Sequence, residues 1–96
     1  MKILVSKKAN SDYHKIIEYL GKKWVNKSVE KFEATLNDFL DLLEQFPEIG
    51  SIEFSAKNIR GFQLNKQIRV FYTVRTEYIL LVSLFDVRQN PKKRNQ

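Results

Sequence analysis

From Val25 to Phe46 the chain repeats one pattern. Val25, Val29, Phe32, Leu36, Phe39, Leu43 and Phe46 recur at alternating spacings of four and three. That spacing draws one apolar stripe along a helix. Leu40 and Leu42 widen it, while Lys27, Glu30, Lys31, Glu33, Asn37, Asp38, Asp41 and Glu44 read as the solvated face. Asn26 suits the cap at its start. Pro47 stops it, because proline lacks the N–H a helix needs and restricts Phe46 before it. So long a stripe has to be covered. A coiled coil would do it, but a suitable sheet follows directly, so the pattern favours helix on sheet.

Ahead of this helix stand a short β candidate, Lys2–Val5, and a second helical stripe. Ala9, Tyr13, Ile16, Ile17, Leu20 and Trp24 fall on one helix face, and Ser6 offers its hydroxyl as the N-cap. Gly21 weakens the last turn. Two helices with so short a link form a hairpin.

Beyond Pro47 the period changes. Glu48-Ile49-Gly50-Ser51 reads as a turn, and Ile52–Lys57 as ambiguous between extended chain and loop. Three strands follow: Asn58–Leu64, Gln67–Arg75 and Tyr78–Val87. Asn65-Lys66 and Thr76-Glu77 are the two-residue turns between them, with asparagine tolerating positive φ. Such turns fix register. With Leu64 opposite Gln67, Phe62 faces Arg69 and Arg60 faces Phe71. With Arg75 opposite Tyr78, Phe71 faces Val82 and Arg69 faces Leu84. Ile68, Val70, Tyr72, Val74, Ile79, Leu81, Phe85 and Val87 then form the face the helices cover. Arg60, Phe62, Arg69, Phe71, Val82, Leu84, Asp86 and Arg88 form the other face.

That second face interleaves arginine with aromatic rings, a mixture that suits a polyanion: guanidiniums contact phosphates and rings stack on bases. Asp86 can hold one guanidinium in place. The bland alternative is that the arginines only lace the sheet to Asp86, Glu77 and Glu53. Charge favours the functional reading. Residues 1–50 carry eight lysines and eight acids, whereas residues 51–96 carry nine basic residues and three acids, so the net charge of +6 sits in the second half. A basic surface that merely aids solubility is the competing explanation.

Ninety-six residues make one domain, with Pro91–Gln96 a loose basic tail. Without cysteine there is no disulfide framework or thiolate metal site, and one histidine, His14, is too few for a catalytic zinc. No cofactor is expected. Ile3-Leu4-Val5 is the longest apolar run near the start, too short for a signal sequence or a membrane span. The expected location is the cytoplasm, with no membrane partner and no small-molecule substrate.

Phe46-Pro47-Glu48-Ile49-Gly50, then Ile59-Arg60-Gly61-Phe62, Ile68-Arg69-Val70-Phe71-Tyr72 and Val87-Arg88-Gln89-Asn90-Pro91, resemble the RelE/ParE toxin superfamily over nearly the whole chain. The resemblance implies an α+β fold, a helical hairpin packed on a twisted, mainly antiparallel sheet. It also implies a cognate antitoxin that neutralises the toxin of a type II toxin–antitoxin, or plasmid stabilisation, system. RelE-like members cut mRNA on the ribosome, and ParE-like members poison DNA gyrase. Arg69 and Arg88 match arginines that the cutting members place round the scissile phosphate, and Arg60 with Lys57 falls where they keep basic residues. Cutting members commonly add a tyrosine or histidine near the C-terminus. Here the tail reads Lys92-Lys93-Arg94-Asn95-Gln96, His14 sits on the first helix and Tyr72 faces the core. A lysine of lowered pKa could serve instead. This departure and the long hairpin favour a ParE-like protein acting on gyrase. The alternative is a ribosome-dependent mRNA endonuclease using Arg60, Arg69 and Arg88. A third reading is a non-toxic module that docks an acidic peptide. In each, Lys57, Arg60, Phe62, Arg69, Phe71, Asp86, Arg88, Lys92, Lys93 and Arg94 make up the expected binding surface.

Overall fold

The computed structural model describes residues 1–23 and 26–89. Strand β1 (Lys2–Val5) leads into helices α1 (Lys7–Lys23) and α2 (Asn26–Gln45). Then come β2 (Ser51–Phe54), a 3-10 turn over Ser55–Lys57, β3 (Ile59–Gln63), β4 (Ile68–Val74) and β5 (Tyr78–Asp86). The strands form one sheet in the order β1-β5-β4-β3-β2, antiparallel except where β1 runs parallel to β5. This is the α+β architecture expected. Trp24, Val25, the side-chain cap expected at Asn26, and Asn90 to Gln96 with Pro91 lie outside the described residues.

The two stripes meet the sheet. Ala9, Ile16 and Leu20 of α1 and Phe32, Leu36, Phe39 and Leu43 of α2 are buried against Ile68, Val70, Tyr72, Ile79, Leu81 and Leu84. Each large side chain so buried contributes roughly 1.5–3 kcal/mol before chain ordering is counted. Ser6 caps α1, its Oγ accepting the Ala9 N–H at 3.0 Å. The stripe of α2 ends sooner than expected. The helix stops at Gln45, and Leu42 and Phe46 are 40% and 56% exposed.

Both hairpins depart from the expected pairing by one residue. Between β3 and β4 the loop holds three residues, not two. Leu64 N–H donates to Ile68 O at 2.9 Å, and Gln63 stands opposite Arg69. Asn65 is the cause. Its Oδ1 accepts the N–H groups of Gln67 (2.9 Å) and Ile68 (2.8 Å), so its side chain holds the extra residue within the turn. One residue of slip turns every β3 side chain over. Phe62 therefore faces Val70 and Arg60 faces Tyr72, on the helix side.

The β4–β5 turn begins as expected, with Arg75 N–H donating to Tyr78 O at 2.8 Å and Tyr72 opposite Leu81. A bulge at Val82 then shifts the pairing, so that Phe71 faces Ser83 and Arg69 faces Phe85. Leu84 and Asp86 swing to the helix side, and Phe85 to the open side. The first helix holds this bulge. β1 pairs with β5 only as far as Leu81, and beyond it Val82 O accepts the Ser6 hydroxyl (2.9 Å) while Leu84 N–H donates to Asp12 (3.1 Å).

Candidate functional site

The slip and the bulge divide the expected arginine face into three separate settings. Arg69 alone stays on the open side of the sheet. Its Nη2 lies 2.9 Å from Glu53 Oε1 on β2, its Nη1 donates to Gln63 (3.1 Å), and its guanidinium sits 5.9 Å from the centroid of the Phe71 ring. The pair reaches across β3 because the residue between is Gly61. A Cβ there would lie 2.8 Å from Glu53 Cγ and 3.0 Å from Arg69 Nε. An isolated glycine inside a strand pattern signals such a close approach, and Glu53 pairs with Arg69 as the bland alternative expects.

Arg60 works on the other side, on β3 next to the edge strand β2. Its Nη1 donates to Gly50 O at 2.7 Å and Glu48 O at 3.3 Å. Tyr72, fully buried, holds the same loop: its hydroxyl donates to Pro47 O (2.9 Å) and accepts the Gly50 N–H (2.8 Å). Burial raises the Tyr72 pKa above its ordinary value, opposed by the Gly50 hydrogen bond and the Arg60 charge. Together the two residues clamp the segment that joins α2 to β2. Gly50 permits the contact, since a Cβ would meet Gly61 O at 2.8 Å and the Tyr72 ring at 2.9 Å.

Arg88 lies at the end of the sheet beside the helices. Asp86, its side chain fully buried, accepts Arg88 Nε and backbone N–H through Oδ1 (3.0 and 2.9 Å) and Nη2 through Oδ2 (2.9 Å). These bonds raise the arginine's pKa further, burial working against them. The guanidinium also sits 5.4 Å from the Tyr19 ring centroid. It borders a cleft of about 360 Å³ between the α2 start and the β3–β4 loop, to which Lys31, Lys66, Asn65 and Gln67 also contribute. Among the described residues no carboxylate lines this cleft, so it is cationic and rich in donors. Lys31 and Lys66 were not singled out from sequence. Each is one of many lysines, and only the fold brings them to Arg88.

The remaining expected residues disperse. Phe62 stacks on Phe39 at 4.6 Å between centroids, in the core and not on the open face. Asp86 is buried on the helix side, where among the described residues its carboxylate bonds Arg88. Lys57 is exposed in the 3-10 turn, and Phe71 is half-buried on the open side. Lys92, Lys93 and Arg94 lie outside the described residues. His14 is exposed on α1, as expected, with its ring against Tyr13.

Against known proteins, the sequence matches the model of the ParE toxin of type II toxin–antitoxin systems, parDE, over residues 3–91. The chain belongs to that toxin family. Its fold is similar to a chromosomal ParDE toxin–antitoxin system from P. aeruginosa, with TM-score 0.73, 15% identity, and 90% of this chain and 95% of that one covered. It is also similar to a YoeB/ParE toxin from Agrobacterium tumefaciens (TM-score 0.61, 15% identity, 90% and 98% covered). A third similar structure is the YoeB–YefM complex from Staphylococcus aureus (TM-score 0.60, 21% identity, 88% and 94% covered). No protein of curated function matches the sequence. Among the described residues no helix is long and apolar enough to cross a membrane.

Proposed function

We propose that this ParE-family toxin arrests growth by binding DNA gyrase in the cytoplasm, without chemistry of its own, and that a cognate antitoxin neutralises it. The observation that carries the reading is the state of the groups that strand cleavage would need. Attack of a ribose 2′-hydroxyl on its phosphate requires a base and an acid beside the cations. Among the described residues the cations are at hand, but the buried Tyr72 hydroxyl, which could act as base or acid, has its donor and an acceptor position committed to the Pro47–Gly50 loop. His14 stands exposed on α1.

Arg69 and Phe71 on the open sheet face, with the exposed Lys57 of the turn between β2 and β3, supply the contacts for the target. The cleft bordered by Arg88, Lys31 and Lys66 suits acidic side chains of an antitoxin. A related toxin fold is found in the YoeB–YefM complex, which supports a partner of that kind. Metal and cofactor play no part in this reading.

Inducible expression in a bacterium lacking any antitoxin tests it. The expected outcome is arrest with filamentation and an SOS response, and inhibition of gyrase supercoiling by the purified protein. Rapid loss of translated mRNA with gyrase unaffected would replace this reading with the mRNA endonuclease. Unimpaired growth would leave a non-toxic binding module.

A further inference from the structure

The chain is basic overall, yet from Phe32 to Ala56 it has no lysine, arginine or histidine. It has six acids there: Glu33, Asp38, Asp41, Glu44, Glu48 and Glu53. Glu33 accepts the Tyr13 hydroxyl and Glu53 pairs with Arg69. Asp38, Asp41, Glu44 and Glu48 are exposed, and none makes an ion pair among the described residues.

Large apolar side chains surface in the same region. Phe46 is 56% exposed, Met1 46%, Leu42 40% and Ile49 36%. Leu42 and Phe46 are four residues apart and so neighbours along one line. Met1, Phe46, Pro47, Ile49 and Val74, with Glu48, border an open concavity of about 630 Å³. Its rim is firm, because Tyr72 and Arg60 fix the backbone of Pro47, Glu48 and Gly50 by four hydrogen bonds. A surface that is already ordered loses less entropy when it is occupied.

We propose that this concavity docks a basic, apolar-anchored segment of a partner protein. The anchor seats between Phe46 and Ile49, and flanking lysines or arginines reach Glu48 on the rim and the exposed Asp38, four residues before Leu42 on the same line. Charge selects the occupant: an acidic segment would meet unpaired carboxylates, and a neutral one would leave them unused. The site is opposite in sign to the Arg88 cleft, so a basic and an acidic partner can bind together. The inference does not depend on which target the toxin arrests.

Two labelled amphipathic peptides test it on the full chain by fluorescence anisotropy and amide chemical shifts. Both carry the same leucines, one with lysines between them and one with glutamates. The lysine peptide should bind saturably and shift the amides of Gln45, Phe46, Ile49 and Val74. Phe46→Ser should weaken it about tenfold or more, as loss of a central aromatic anchor does. Asp38→Lys with Glu48→Lys should weaken it several-fold, and added salt should do the same. Phe46, Asp38 and Glu48 are exposed, so these variants should keep the fold, which circular dichroism checks. The proposal is overturned if the glutamate peptide binds as tightly, if the shifts fall elsewhere, or if neither peptide saturates. It is also overturned if the chain self-associates and Phe46→Ser abolishes that, for then the occupant is a second copy.

Discussion

Arg69 meets Glu53 at 2.9 Å with both side chains 27% exposed, whereas Arg88 meets Asp86 at the same distance with the carboxylate fully buried. The bond is chemically the same, and its surroundings decide what it does. On the open side, water competes for both charges, and such a pair is worth about 0–1 kcal/mol. At the buried end, removing one partner strands the other in a poor solvent. The open pair can exchange its partner for a ligand. The buried pair holds its guanidinium beside the cleft and cannot give up Asp86 cheaply.

The largest expected effect follows from the buried pair. Arg88→Ala should destabilise the fold by about 3 kcal/mol, read from the urea midpoint at unchanged slope. A loss below about 1 kcal/mol would mean that Asp86 finds water in solution, and the contrast with Glu53 would collapse. Next comes Tyr72→Phe, which leaves the buried Gly50 N–H and the Pro47 carbonyl without their partner and should cost about 2 kcal/mol. It should also loosen the loop that carries Ile49, seen as faster amide exchange at Gly50.

Between these extremes stands Tyr13, half-buried, whose hydroxyl donates to Glu33 at 2.5 Å and so ties α1 to α2. That hydrogen bond, then burial, then the Glu33 charge push its pKa up to about 12 from the ordinary value of 10.0. The folded chain therefore keeps a proton that the unfolded chain gives up. This contribution is fully present below pH 10 and is lost as pH rises through about 12. Tyr13→Phe should cost about 1 kcal/mol near neutrality and flatten the fall in stability between those limits. An unchanged alkaline slope would show that the clasp is open in solution.

Much of this fold could be read from the chain. The stripe from Val29 to Leu43 and the Ser6 cap depend on neighbours three or four residues away, and both appear where expected. Register depends on more. In sequence Asn65 signals only tolerance of positive φ, whereas in the fold it acts through its side chain, adding one residue to the turn. The Val82 bulge left no trace in sequence, because Ile79 to Val82 is apolar without alternation and its backbone partners, Ser6 and Asp12, lie over seventy residues away. Two one-residue errors were enough to separate Arg60, Arg69 and Arg88. The residue types were legible, but their meeting place was not.

On the open side the stability effects should be small and the functional ones large. Arg69→Ala should lose less than about 1 kcal/mol yet relieve growth arrest, measured as colony counts after induction. If stability falls as far as in Arg88→Ala, Arg69 is a structural residue and the proposed contact surface fails.

The smallest effect tests the comparison most directly. A Cβ on Gly61 would approach Glu53 Cγ at 2.8 Å and Arg69 Nε and Nη2 at 3.0 Å, all of them side-chain atoms free to move. The ion pair should therefore part while the strand stays in place. Losing the pair costs at most about 1 kcal/mol, and replacing a strand glycine returns a few tenths or more through lower chain entropy. Gly61→Ala should thus leave stability within about 0.5 kcal/mol of the parent chain, near the limit of measurement. A second substitution isolates the pair from the other effects of the alanine. Glu53→Ala should destabilise the parent by some tenths of a kcal/mol and the Gly61→Ala chain not at all, because no pair remains to break. Equal losses in both backgrounds would mean that Glu53 stabilises β2 by some route other than Arg69. The open pair would then owe nothing to the missing side chain at Gly61.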